Sequence, residues 1–128
     1  MAKVIYNGGF KSYYSCTKPT WLVKGKEYEV VCVEDRNWQT DYYLDGVEGN
    51  FNSQWFDEID DENSVLLQGV TDRKPEVGNI CEIYKVLINH HLVSAERVGK
   101  CIIDSVEKIG NELYRVFANG IEVCVIYD

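Results

Sequence analysis

The sequence predicts a mainly β protein: a small β-barrel followed by a second small antiparallel, barrel-like subdomain, with at most one or two short helices. Three observations point there. Asp45-Gly46 and Asn119-Gly120 each separate two β-rich runs, the strongest short-range hairpin signal that a sequence offers. Nine Tyr, three Trp and frequent Val and Ile suit pleated, half-buried surfaces. The length of 128 residues fits one ordinary domain or two very small ones. The division expected here places the first barrel in residues 1–70 and the second subdomain in 71–128.

Taken in order, Val4-Ile5-Tyr6 is a short strand closed by Asn7-Gly8-Gly9. Residues 10–20 are aromatic and polar without a clear period, and read as a long loop or as a strand with an excursion, with Pro19 marking their end. Lys24-Gly25-Lys26 turns into the strand at 27–33. Tyr28, Val30 and Cys32 point to one face there, with Glu27 and Glu29 on the other. A polar turn at 34–37 leads to a run in which Tyr42 and Leu44 share a face and Tyr43 takes the other. After Asp45-Gly46, Gly49 marks a bulge or a close approach inside a strand. Asn52-Ser53 is a cap for a single helical or 3-10 turn that carries Trp55 and Phe56 inward.

Residues 57–63 form the most acidic segment and the expected boundary. Strands follow at 64–70 and 80–88, with a turn at Val77-Gly78-Asn79 between them. Residues 90–100 read as a polar excursion with a short helix over 94–98. Strands at 101–106, 113–117 and 121–126 complete the chain. The two halves share a faint pattern: 24–30 resembles 77–83, and 45–48 resembles 119–122. This fits either a divergent repeat or the turn residues that any two hairpins have in common.

The net charge is −8. Six Lys and Arg stand against twelve Asp and Glu in residues 1–68, and seven against nine in 69–128, so the acidity sits in the first half. Such a field repels nucleic-acid phosphates and favours solubility and a basic protein partner. Met1-Ala2-Lys3 leads into Val4-Ile5-Tyr6 with no signal-peptide core, and no apolar run nears the roughly 18 residues that span a bilayer. Five cysteines, most of them inside apolar β-type runs, read as reduced, buried thiols of a cytoplasmic protein.

Leu22-Val23-Lys24-Gly25-Lys26-Glu27-Tyr28-Glu29-Val30, then Tyr42-Tyr43-Leu44-Asp45-Gly46 and Ser53-Gln54-Trp55-Phe56, resemble a group of small bacterial and phage-borne proteins with an SH3-like barrel. The resemblance covers residues 2–60. The group's motif has threonine where this chain has Val23, and the segment at 7–20 is longer here. It implies an SH3-like fold and a bacterial, phage or prophage setting. Its motif residues are structural, so it carries over no catalytic residue.

Chemistry-bearing patterns are sparse. His90-His91 is the only histidine site, and adjacent histidines in extended chain point apart, which disfavours a shared metal. No Cys-x-x-Cys pair occurs, and Asn7-Gly8-Gly9 lacks the spacing and lysine of a phosphate loop. The expectation is a non-enzymatic binding protein without cofactor or metal. It would engage a host or bacterial protein through aromatics and acidic loops, as an inhibitor of a nucleic-acid-handling complex would. Trp38, Tyr43, Asp57, Asp60 and Asp61 are the expected contact residues. A nucleic-acid-binding small barrel is the alternative, and the charge argues against it.

Overall fold

The computed structural model describes residues 2–10, 17–36, 39–59, 65–72, 74–89, 92–110 and 112–127. Eleven strands account for most of them, and helix is confined among the described residues to two three-residue 3-10 turns, Pro19–Trp21 and Ser53–Trp55. The protein is mainly β, with two sheets, neither of them a closed barrel. The chain divides into two compact units, Met1–Val65 with Ile88–Val93, and Leu66–Leu87 with Ser94–Asp128. Residues 88–93, which the sequence reading placed in the second half, thus belong to the first unit.

The first unit holds β1 (Ala2–Tyr6), β2 (Glu27–Asp35), β3 (Thr40–Leu44), β4 (Val47–Asn52) and β5 (Phe56–Glu58) in the order β4-β3-β2-β1-β5. The β1–β2, β2–β3, β3–β4 and β1–β5 pairings are antiparallel, and β5 returns to β1 with Tyr6 opposite Phe56. The turn between β4 and β5 forms as its residues dictate. The Asn52 side chain accepts from the Gln54 N–H at 3.0 Å, and the turn delivers Trp55 and Phe56 into the interior.

Strict alternation fails in β2, where Val30, Val31, Cys32 and Val33 are all buried. Val30 pairs with Leu44 but Cys32 with Tyr43, so β2 carries one residue more than β3 there. Such a bulge shifts the face assignment by one position and lets consecutive side chains turn inward. The same irregularity buries Tyr42, Tyr43 and Leu44 together, although alternation assigns Tyr43 to the outer face. Gly49 is a close approach as expected: at a φ of +112°, an added Cβ would lie 2.7 Å from Thr17 Cβ and Cγ2.

Phe56 is the centre of the first core. Its ring lies 5.9 Å from Tyr6, 6.5 Å from Tyr28 and 5.8 Å from Tyr42, in the tilted and edge-on arrangements that aromatic quadrupoles favour. The Tyr42 hydroxyl is buried without a hydrogen-bond partner, and burial pushes its pKa up.

The six-stranded sheet, most of which lies in the second unit, holds β6 (Val65–Val70), β7 (Ile80–Asn89), β8 (Leu92–Ile102), β9 (Ser105–Lys108), β10 (Leu113–Ala118) and β11 (Ile121–Tyr127), ordered β8-β7-β6-β11-β10-β9. Asn119-Gly120 closes the β10–β11 hairpin with both residues at positive φ, +54° and +75°, and Asp104 Oδ2 accepts from the Asn119 N–H. Two expectations change. The helix over 94–98 is strand β8, because the segment lies beside β7 and Arg97 Nε meets Glu82 Oε1 of that strand at 3.4 Å. One pairing is also parallel rather than antiparallel, β11 on β6 with Val125 opposite Gln68. The core of this unit gathers Cys81, Ile103, Val116, Cys124 and Ile126.

Candidate functional site

The β2–β3 connection is braced by charge. Asp41, at the start of β3, is 0% exposed. Its Oδ1 accepts from Gln39 Nε2 at 2.6 Å, its Oδ2 accepts from Asn50 Nδ2 at 2.8 Å, and Arg36 Nε lies 3.3 Å from the same Oδ2. A buried carboxylate is tolerated when it is paired and hydrogen-bonded in this way. Glu34 adds a second anchor, its Oε2 accepting from the Tyr43 hydroxyl at 2.9 Å and from Arg36 Nη2 at 3.5 Å. Burial works against the Arg36 charge, but the carboxylates of Asp41 and Glu34 more than offset it, so its pKa is raised. The Arg36 N–H donates to the Gln39 carbonyl at 2.8 Å, which closes the connection at its base.

The expected contact residues fall in different settings. Tyr43 is buried in the first core, and its hydroxyl is committed to Glu34. Asp57 is exposed on β5, and its Oδ1 accepts weakly from Asn7 Nδ2 at 3.4 Å. Trp38, Asp60 and Asp61 lie outside the described residues, as do His90 and His91.

Sequence reasoning undervalued Trp21. It stands on the first 3-10 turn with 80% of its surface exposed, and Val23, two residues further on, is 57% exposed. The turn is held by the Leu22 N–H donating to the Pro19 carbonyl at 3.2 Å, with Pro19 at its first position. A proline two residues before a tryptophan is the signal that could have marked it. Lys18, Lys24 and Lys26 are exposed in the same 18–26 segment.

In the second unit an open cleft of about 270 Å³ is lined by Thr71, Asp72, Gly78, Asn79 and Ile80. The cysteines there are more organised than their spacing suggests. Cys81 and Cys124 bring their sulfurs to 3.6 Å, and the half-buried Cys101 packs against the same cluster. In the first unit Cys32 stands apart, and burial pushes its thiol up to about 12. Cys16 lies outside the described residues. Among the described residues no group of three or more His, Cys, Asp and Glu side chains is arranged to hold a metal ion, and no helix is long and apolar enough to cross a membrane.

Gly69 of β6 makes the thiol contact possible. A Cβ at this position would lie 2.5 Å from Cys81 Sγ, 2.6 Å from Cys124 Sγ and 2.9 Å from Ile126 Cγ1. Gly69→Ala is therefore expected to cost about 1–3 kcal/mol, as overpacking in a filled core does. Denaturant titration checks this, and an alanine variant as stable as the parent would mean that the sulfurs move aside freely.

Comparison of the chain with protein-family models, with curated proteins and with solved structures returns no match.

Proposed function

We propose that the chain is a non-enzymatic protein-binding module of bacterial or phage origin, acting in the cytoplasm on a host protein with a basic surface, as an inhibitor of a nucleic-acid-handling complex would. The observation that supports this best is Trp21, a large rigid aromatic held in solvent by a proline-led turn, because exposed aromatics anchor protein interfaces. The acidic balance of the first unit, with Glu27, Glu48 and Asp57 exposed, supplies the field that steers a basic partner.

The test is kinetic binding at two salt concentrations to the partner captured from a host lysate. Trp21→Ala is expected to leave stability within about 0.5 kcal/mol and to speed dissociation tenfold or more, roughly 1.4 kcal/mol or above. Asp57→Asn combined with Asp60→Asn and Asp61→Asn is expected to lower the on-rate and flatten the salt dependence. Salt-independent association of the parent chain would remove the charge argument. Unchanged dissociation in both Trp21→Ala and Trp38→Ala would remove the aromatic one.

A second reading, a nucleic-acid-binding small barrel, is favoured by one observation: Lys18, Lys24 and Lys26 share the Trp21 segment, and aromatics with lysines stack bases and meet phosphates. Fluorescence anisotropy with labelled single-stranded DNA separates the two. Micromolar binding that falls on replacing these lysines with glutamine would favour this reading over the first.

A further inference from the structure

The edge of a β-sheet presents unpaired backbone N–H and C=O groups, and folded proteins shorten, cover or charge their edges against pairing with another chain. Of the four edges in the two sheets, three are short or covered. β5 (Phe56–Glu58) has three residues and β9 (Ser105–Lys108) has four. β4 is covered at Asn50, whose carbonyl accepts from the Thr17 N–H at 2.8 Å and whose own N–H donates to Thr17 Oγ1 at 3.0 Å. The exception is β8. It has 11 residues, against about 5–6 in a typical strand, and contains no proline. Ser94, Ala95, Glu96, Arg97 and Val98 are all exposed, Val98 to 52%, and Ile102 at the end of the strand is 62% exposed.

The charges on this edge match those of a second copy. Arg97 is engaged within the chain by Glu82 of β7. Glu96 and Lys100 are exposed, and among the described residues neither side chain makes an ion pair or hydrogen bond. They flank Val98 at equal distances in the sequence. Two copies of one edge pair antiparallel about a two-fold axis. The pleat keeps opposite residues on the same face, so the axis passes through a residue and not between two. An axis at Glu96, Arg97 or Lys100 sets that residue against its own charge. At Ala95 or Gly99 no opposite charges meet. An axis at Val98 sets Glu96 opposite Lys100 of the other copy twice over, and Val98 against Val98. Arg97 then faces Gly99, which has no side chain to obstruct it.

We propose that β8 is a self-association edge, through which two copies of this chain join their six-stranded sheets antiparallel about Val98. The paired segment runs from Ser94 to Ile102 in each copy. Main-chain hydrogen bonds form the ladder, the two Val98 side chains cover one another, and the paired Glu96 and Lys100 fix the register. An extended basic peptide fits this edge less well, because Arg97 and Lys100 there outnumber Glu96. The net charge of −8 on each copy opposes the approach. That repulsion is cut to a range of about 8 Å at roughly 0.15 M salt. The interface uses neither Trp21 nor the acidic segment of the first unit, so it stands independently of the binding role proposed above.

The experiment is sedimentation equilibrium of the reduced, full-length protein at roughly 0.15 M salt over a rising concentration series. The expected result is a monomer–dimer equilibrium that goes no further, because one dimer occupies the β8 edge of both copies. Lys100→Glu and Glu96→Lys should each weaken the dimer about tenfold or more, since both symmetric pairs turn repulsive. Combining the two substitutions sets opposite charges together again and should return the dissociation constant to within about threefold of the parent. Amide exchange of the parent protein at low and high concentration should show the added protection in β8, which decides the matter even if a variant folds poorly. A chain that stays monomeric up to about 1 mM, a dimer protected outside β8, or a combined variant as weak as the single ones would each overturn the proposal.

Discussion

Phe56→Ala is expected to lower the stability of the first unit by about 3–5 kcal/mol, the range for emptying a large aromatic site in a filled core. Phe56 is 0% exposed and packs against Tyr6, Tyr28 and Tyr42 at once, so three strands lose a shared contact. The surrounding rings are too large and too constrained to collapse fully into the space, which keeps the cost near the upper part of the range. Phe56 also opens β5, which reaches β1 through only three paired positions. Urea titration should show the loss. Amide exchange should locate it in β1 and β5, where protection ought to fall most. A cost below about 1 kcal/mol would mean that Phe56 is a filler and not the centre of this core.

Asp41→Ala should cost about 2–3 kcal/mol, for a different reason. The substitution removes little apolar area. It takes away the acceptor shared by Gln39, Asn50 and Arg36, and Gln39 is itself buried. A buried donor stripped of its partner bears the desolvation penalty in full. Arg36 keeps Glu34 and a path to solvent, so its share of the loss is the smallest. Gln39→Ala should cost less than Asp41→Ala, because the carboxylate retains two partners. A denaturant series over both variants tests the ordering. Equal costs would show that the Gln39 contact alone carries the network, and a negligible cost for Asp41→Ala would show that the network does not stabilise the fold.

Much of the local structure was legible because it depends on neighbours in the chain. Asp45-Gly46 and Asn119-Gly120 specify turns through φ values that glycine and asparagine tolerate, and both close hairpins here. Asn52 caps its turn with its own side chain, and the inward delivery of Trp55 and Phe56 follows from a single turn of fixed geometry. The misread segment over 94–98 shows the limit of such reasoning. Ser94-Ala95-Glu96-Arg97-Val98 has no strong strand preference, and its extended state comes from pairing beside β7.

What the sequence by itself determined is the β class, the hairpin positions, the turn before β5 and the acidity of the first half. Each depends on residue type and short spacing. Only the tertiary structure decided that a bulge in β2 would bury Tyr43, that Asp41 would become the shared acceptor of Gln39, Asn50 and Arg36, and that Trp21 would stand in solvent while Trp55 did not. It also decided that Cys81 and Cys124, separated in the chain by whole strands, would bring their sulfurs together over a glycine. Strand order and register set these neighbours. Both follow from packing the whole core at once, which no short window of residues encodes.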